Sequence, residues 1–179
     1  MNGYGTRTVW KRALLTVALA ILTATVAVAQ TKITGDGQCS KPDKQEAVEV
    51  GDRTDHFLVI MKYSCTWATP FEMEGLKSKE YTSANTSDVS GDKSQHRGYV
   101  VITMDNGDRA FVRFTGNGTH SKDGSGTAAG AWSFTGGTGK LKGLTGKGTY
   151  KSTATAGSGQ DHVEGEYSLV KAPAPKTKK

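Results

Sequence analysis

The 179-residue sequence carries no catalytic signature. No G-x-S-x-G elbow occurs, and the strand–turn–helix setting that such a nucleophile needs is missing. The glycine-rich run Gly136 to Lys140 lacks the G-x-x-x-x-G-K-[ST] spacing of a phosphate loop. No helix is expected after it to supply the amides that a phosphate needs, so it reads as a structural turn. Histidine is scarce, and His56, His96, His120 and His162 form no H-x-H or H-E-x-x-H pair. Solvated strand-end histidines are the expectation, with no metal site and no cofactor. The one metal or acid–base alternative would have neighbouring strands bring Asp55-His56 to Asp161-His162.

Cysteine is nearly absent too. Cys39 and Cys65 are the only two, and a lone pair without closely spaced histidines is a poor metal site. An even count in an exported chain favours one disulfide, Cys39 to Cys65, closing a loop of about 25 residues worth on the order of 3 kcal/mol.

Only one long apolar run exists. Ala13 to Val28 carries no charge, follows the basic residues Arg7, Lys11 and Arg12, and runs into the small-x-small pattern Ala27-Val28-Ala29. It falls short of the ~20 residues that cross a bilayer. Residues 1–29 therefore read as a secretory signal peptide cleaved after Ala29, leaving no stable membrane anchor. The formal charge of +6 changes meaning accordingly. Three of the 23 basic residues and none of the 17 acidic ones lie in the signal, so +3 remains. Four of the remaining lysines fall in residues 171–179, a Pro- and Lys-containing tail expected to be disordered. A nearly neutral body between two basic ends does not suit nucleic-acid binding.

What is abundant is glycine, at 23 residues. In Trp132 to Tyr150, two aromatic-bearing strand segments flank a stretch punctuated by glycine, as tight turns and bulges require. Residues 30–170 read as one all-β domain of seven to eight strands, an antiparallel barrel. The clearest strand is Asp55 to Trp67, where Phe57, Val59, Met61, Tyr63, Cys65 and Trp67 share one face. Thr31 to Asp52 reads as turn-rich, apart from a short edge strand from Glu46 to Val50. Leu76 to Asn85 reads as a strand and Thr86 to Arg97 as an exposed loop. Asn106-Gly107 marks a hairpin between Gly98–Met104 and Arg109–Thr119. Thr127 to Thr135, Gly146 to Ala154 and Asp161 to Val170 complete the set.

Thr135-Gly136-Gly137-Thr138-Gly139-Lys140-Leu141-Lys142-Gly143-Leu144-Thr145-Gly146 resembles the G-G-T-G-x-F-x-G-A-x-G stretch of the allene oxide cyclase and dirigent proteins. Leu141 stands where those families carry an aromatic, and Leu144-Thr145 where they carry Ala-x. The resemblance implies an eight-stranded barrel with this stretch before its final strands, and it carries over no catalytic residue. The chain also resembles a family of small exported bacterial proteins of unassigned activity. The shared features are the early cysteine, Cys65-Thr66-Trp67, the Trp132–Gly139 run and Glu164-Gly165-Glu166-Tyr167.

The candidate ligand-binding residues are the bulky side chains expected to face inward: Phe57, Val59, Met61, Tyr63, Trp67, Tyr99, Phe114, Trp132 and Phe134. They either fill the barrel or line a cavity suited to a flat hydrophobic molecule. Glu164 and Glu166 are expected to face solvent opposite Lys147 or Lys151, with Val163, Gly165, Tyr167 and Leu169 on the core face. The functional expectation is a periplasmic or secreted barrel, binding a small hydrophobic molecule without catalysis or serving structurally. The alternatives are a cyclase- or isomerase-like enzyme acting inside the barrel and a homo-oligomeric interaction protein.

Overall fold

The structure, a computed structural model, describes residues 30–155 and 157–170. The expected signal peptide and basic tail lie outside them. The strands are β1 (Thr31–Ser40), β2 (Lys44–Glu49), β3 (His56–Thr69), β4 (Glu72–Met73), β5 (Leu76–Ser90), β6 (Lys93–Met104), β7 (Arg109–His120), β8 (Gly126–Gly137), β9 (Leu144–Thr155) and β10 (Ser158–Leu169). A single 3-10 turn, Gly139–Leu141, joins β8 to β9.

Eight of these strands close into an antiparallel barrel. β1, β3, β5, β6, β7, β8, β9 and β10 pair in that order, and β10 pairs back onto β1. Closure removes the unpaired edges that an open sheet must protect. The circuit does not return to its starting level. Following cross-strand partners from Phe57 through Val89, Ser94, Gly118, Ala128, Ser152, Asp161 and Gly37 leads back to β3 at Trp67. Trp67 lies ten residues beyond Phe57, an offset that tilts the strands against the barrel axis.

Two stretches read as loops are strands. Thr31–Ser40 pairs with β10 over its whole length. Its Gly35 and Gly37 are not turn residues. They face inward where larger side chains pass, and a Cβ on Gly37 would lie 2.2 Å from the Tyr81 hydroxyl. The expected loop Thr86–Arg97 is the far end of β5, a tight turn and the start of β6, with Gly91 at φ 60°. It lacks an apolar alternation because its inner residues Ser87, Ser94 and His96 line a cavity and do not pack in a core. Asn85, which opens the N-x-S run Asn85-Thr86-Ser87, lies on that inner face.

The Cys39–Cys65 disulfide forms, with S–S 1.99 Å and Cα–Cα 4.3 Å. It bridges directly opposed residues of β1 and β3, whose ladder spans only Asp36 to Cys39. Every other seam of the barrel is longer, so the disulfide staples the wall where hydrogen bonds are fewest. After a break at residues 41–43 the chain resumes as β2, the expected edge strand, alongside the first half of β3.

One end of the barrel is packed solid. Phe71, Met73 and Leu76 from the β3–β5 connection meet Met104, Leu141, Leu144 and Tyr167, and Met73 and Leu141 are fully buried. Burial of each large apolar side chain contributes about 1.5–3 kcal/mol. The Glu74 amide donates to the Tyr167 hydroxyl at 3.2 Å, tying this plug to β10. The Asn106-Gly107 hairpin turns at the same end, with Gly107 at φ 89° as such a turn requires.

Candidate functional site

Toward the other end the packing stops and the barrel is hollow. A cavity of about 680 Å³ runs from the plug to a rim that includes Lys41, Pro42, Ser125 and Ser158. That volume lies within the range of small-molecule sites. Both readings of the interior are therefore realised, a filled half and a hollow half.

Seven of the nine expected lining residues are on the cavity wall: Val59, Met61, Tyr63, Trp67, Phe114, Trp132 and Phe134. Phe57 lies on the same inner face, opposite Val89, but outside the cavity wall at the start of β3. Tyr99 points the other way and is 64% exposed. Its neighbours Gly98, Val100 and Ile102 set the inner face of β6, so the bulkiest residue of the segment is the outward one.

The inner face alternates very large and very small residues. Tyr150 crosses Gly130 and Gly116, its successive partners on β8 and β7, to hydrogen-bond His96 on β6. A Cβ on Gly116 would lie 2.2 Å from the Tyr150 hydroxyl and 2.9 Å from His96 Nε2. Trp132 likewise lies over Gly148 and Gly165, where added Cβ atoms would meet its ring at 2.4 and 2.5 Å. Its indole N–H donates to the Thr149 carbonyl at 3.0 Å. Tyr81 reaches over Gly37 and donates to Asp161 Oδ2 at 2.6 Å.

Asp161 is the acidic residue of the cavity wall. Besides Tyr81 it accepts from Ser152 Oγ at 2.5 Å. Burial, with the Asp161 charge added to it, raises the pKa of Tyr63 and Tyr81 and pushes that of Tyr150 up to about 12. Burial alone lowers the pKa of His96, which favours a neutral ring beside Tyr150. Two polar atoms on the wall, Trp67 Nε1 and Asn85 Oδ1, are buried without a hydrogen-bond partner among the described residues.

The remaining sequence candidates lie elsewhere. His56 and His162 are not brought together. His56 is buried on the outside of the wall, with Nδ1 against Asp52 and Nε2 2.9 Å from Asp88. It is clamped, not solvated. His162 Nδ1 lies 2.7 Å from Asp36 on the outer surface. Glu164 and Glu166 face outward, with Glu166 opposite Lys147, whereas Lys151 stands opposite His162. Among the described residues, no group of three or more His, Cys, Asp or Glu is placed to hold a metal.

His96, Tyr150, Tyr81 and Asn85 are not among the expected site residues, and Asp161 is expected only in the alternative that brings it to Asp55-His56. Asp161 shares the parity of Val163, Gly165 and Tyr167, and His96 that of Gly98 and Val100, so extending each inner face by one step reaches them.

Fold and site together define a closed eight-stranded antiparallel barrel, plugged at one end and hollow toward the other. No protein-family model matches the chain, and no curated protein is similar enough to match it.

Proposed function

We propose that this chain is an exported, non-catalytic barrel that holds one small hydrophobic molecule. The observation that carries the reading is the cavity of about 680 Å³, walled by Val59, Met61, Tyr63, Val100 and Phe114. Natural cores are close-packed, so a void of this size beside a fully packed plug calls for an occupant. The Cys39–Cys65 disulfide suits an oxidising compartment, and the periplasm or the cell exterior is the proposed location. The proposed scaffold is the allene oxide cyclase and dirigent-like barrel. Supporting it, the Thr135–Gly146 stretch forms the corner between β8 and β9, with Leu141 fully buried in the plug.

Native mass spectrometry of protein purified from its own compartment tests the reading. The expected result is an added small-molecule mass that disappears on unfolding and is absent from a cavity-filling Val100→Trp variant. Protein that arrives empty, and whose wild-type and Val100→Trp forms take up an apolar dye equally, would refute it.

A homo-oligomer is the second reading. Val48, Leu58 and Ile60 are 65, 51 and 54% exposed on adjoining strands of the outer wall. A mass that rises with concentration, and falls back in Leu58→Lys, would support it.

A further inference from the structure

Resting on the ligand-binding reading, we propose that the molecule held in the cavity is a hydrophobic amine, its ammonium placed against Asp161 and its apolar body against the aromatic wall. Asp161 sits on the inner face of β10, opposite Gly37 on one side and Ser152 on the other. A carboxylate has about four acceptor sites. The Tyr81 and Ser152 hydroxyls occupy two, one on each oxygen. Each oxygen thus keeps a free acceptor site.

Among the described residues, no cation is paired with this carboxylate. Its row around the barrel is Phe57, Val89, Ser94, Gly118, Ala128, Ser152, Gly37 and Trp67, without a basic residue. The basic groups on the cavity lining are Lys41, His96 and His120. Lys41 is exposed at the rim, His120 ends β7, and His96 is engaged by Tyr150. No salt bridge to Asp161 forms among the described residues. A carboxylate on an apolar wall is costly unless hydrogen-bonded and paired; the two hydroxyls supply the hydrogen bonds, and a ligand ammonium would supply the counter-charge.

The surroundings favour an ammonium over a neutral donor. Trp67, Tyr81, Tyr63 and Tyr150 share the cavity with Asp161, and aromatic faces attract cations. Burial is the main cause of the raised pKa values of these three tyrosines, and the Asp161 charge adds to it in each. Asn85 Oδ1, buried without a partner, adds an unused acceptor on the same wall.

The test uses three probes with one apolar body: naphthylethylamine, naphthylethanol and naphthylacetate. Titration calorimetry on the intact mature protein is expected to show the amine binding at least about tenfold more tightly than the alcohol, with the carboxylate weakest. In Asp161→Asn the amine's advantage is expected to shrink to within about threefold. Equal binding of amine and alcohol by the wild-type protein would overturn the amine assignment and leave the cavity reading intact, as would tighter binding of the carboxylate. Failure of all three probes to bind would overturn the ligand-binding reading itself.

Discussion

Tyr81 on β5 and Asp161 on β10 are hydrogen-bonded at 2.6 Å across the inside of the barrel, and the contact exists because residue 37 between them has no side chain. The three nearest atoms that a Cβ on Gly37 would meet all belong to the Tyr81 ring and hydroxyl. An alanine in a strand would ordinarily stabilise by trimming the freedom of the unfolded chain. Here the clash reverses the sign, and Gly37→Ala is expected to cost about 1–3 kcal/mol. Urea denaturation of Gly37→Ala, Tyr81→Phe and the double variant checks this. The pair should couple by at least about 0.5 kcal/mol, because Phe removes the nearest contact.

The staple at the short seam gives a second expectation. Cys39→Ala/Cys65→Ala should lose about 2–5 kcal/mol of stability. The wild type should show the same loss when denatured with reductant present, and the variant should be indifferent to reductant.

Asn85 turns a carbonyl oxygen into the wall with no hydrogen-bond donor among the described residues. Replacing such a group by an apolar one of similar size removes a desolvation penalty of about 1–3 kcal/mol. Asn85→Leu should therefore raise the Tm of the ligand-free barrel. A lowered Tm would mean that the oxygen has a partner in solution.

Two histidines should give opposite pH dependences. The Asp52 hydrogen bond, with Asp88, raises the His56 pKa above 6.5. Its contribution to stability is complete below 6.5 and is lost as pH rises through the raised value. The Asp52 pKa is lowered from 3.8 by the His56 bond, so its share is complete above 3.8 and is lost as pH falls through the lowered value. The clamp is thus strongest between those limits. His96 is shifted downward from 6.5, so its contribution is complete above 6.5 and declines as pH falls. Thermal melts at about pH 5.5 and about pH 8.5 separate them. His56→Gln should lose more Tm at the lower pH, and His96→Gln more at the higher.

Much of the barrel was legible in the sequence because β3 writes its inner face as large residues at every second position. The strands that resisted reading were those whose inward positions are glycine or small polar residues. β1 hides its face in Gly35 and Gly37, and the β5–β6 end hides its own in Ser87, Ser94 and His96. Alternation of hydrophobicity reports a face that packs against a core, whereas these faces make room for a ring or line a void. Tyr99 misled for the complementary reason, since a large side chain marks the inside only where its own strand's parity agrees.

The first and last barrel strands lie side by side, with Thr31 opposite Tyr167. The order of strands around the wall is therefore a cycle, and the seam between β1 and β10 needs no covalent joint. A polypeptide emerging from its amino end must keep β1 unpaired on that side until β10 has been made, which places closure of the wall late in folding. The same adjacency makes the barrel a natural subject for circular permutation. A short linker from residue 170 to residue 30, with new ends cut at the exposed Lys122–Gly124 turn, would give the same wall in a different reading order.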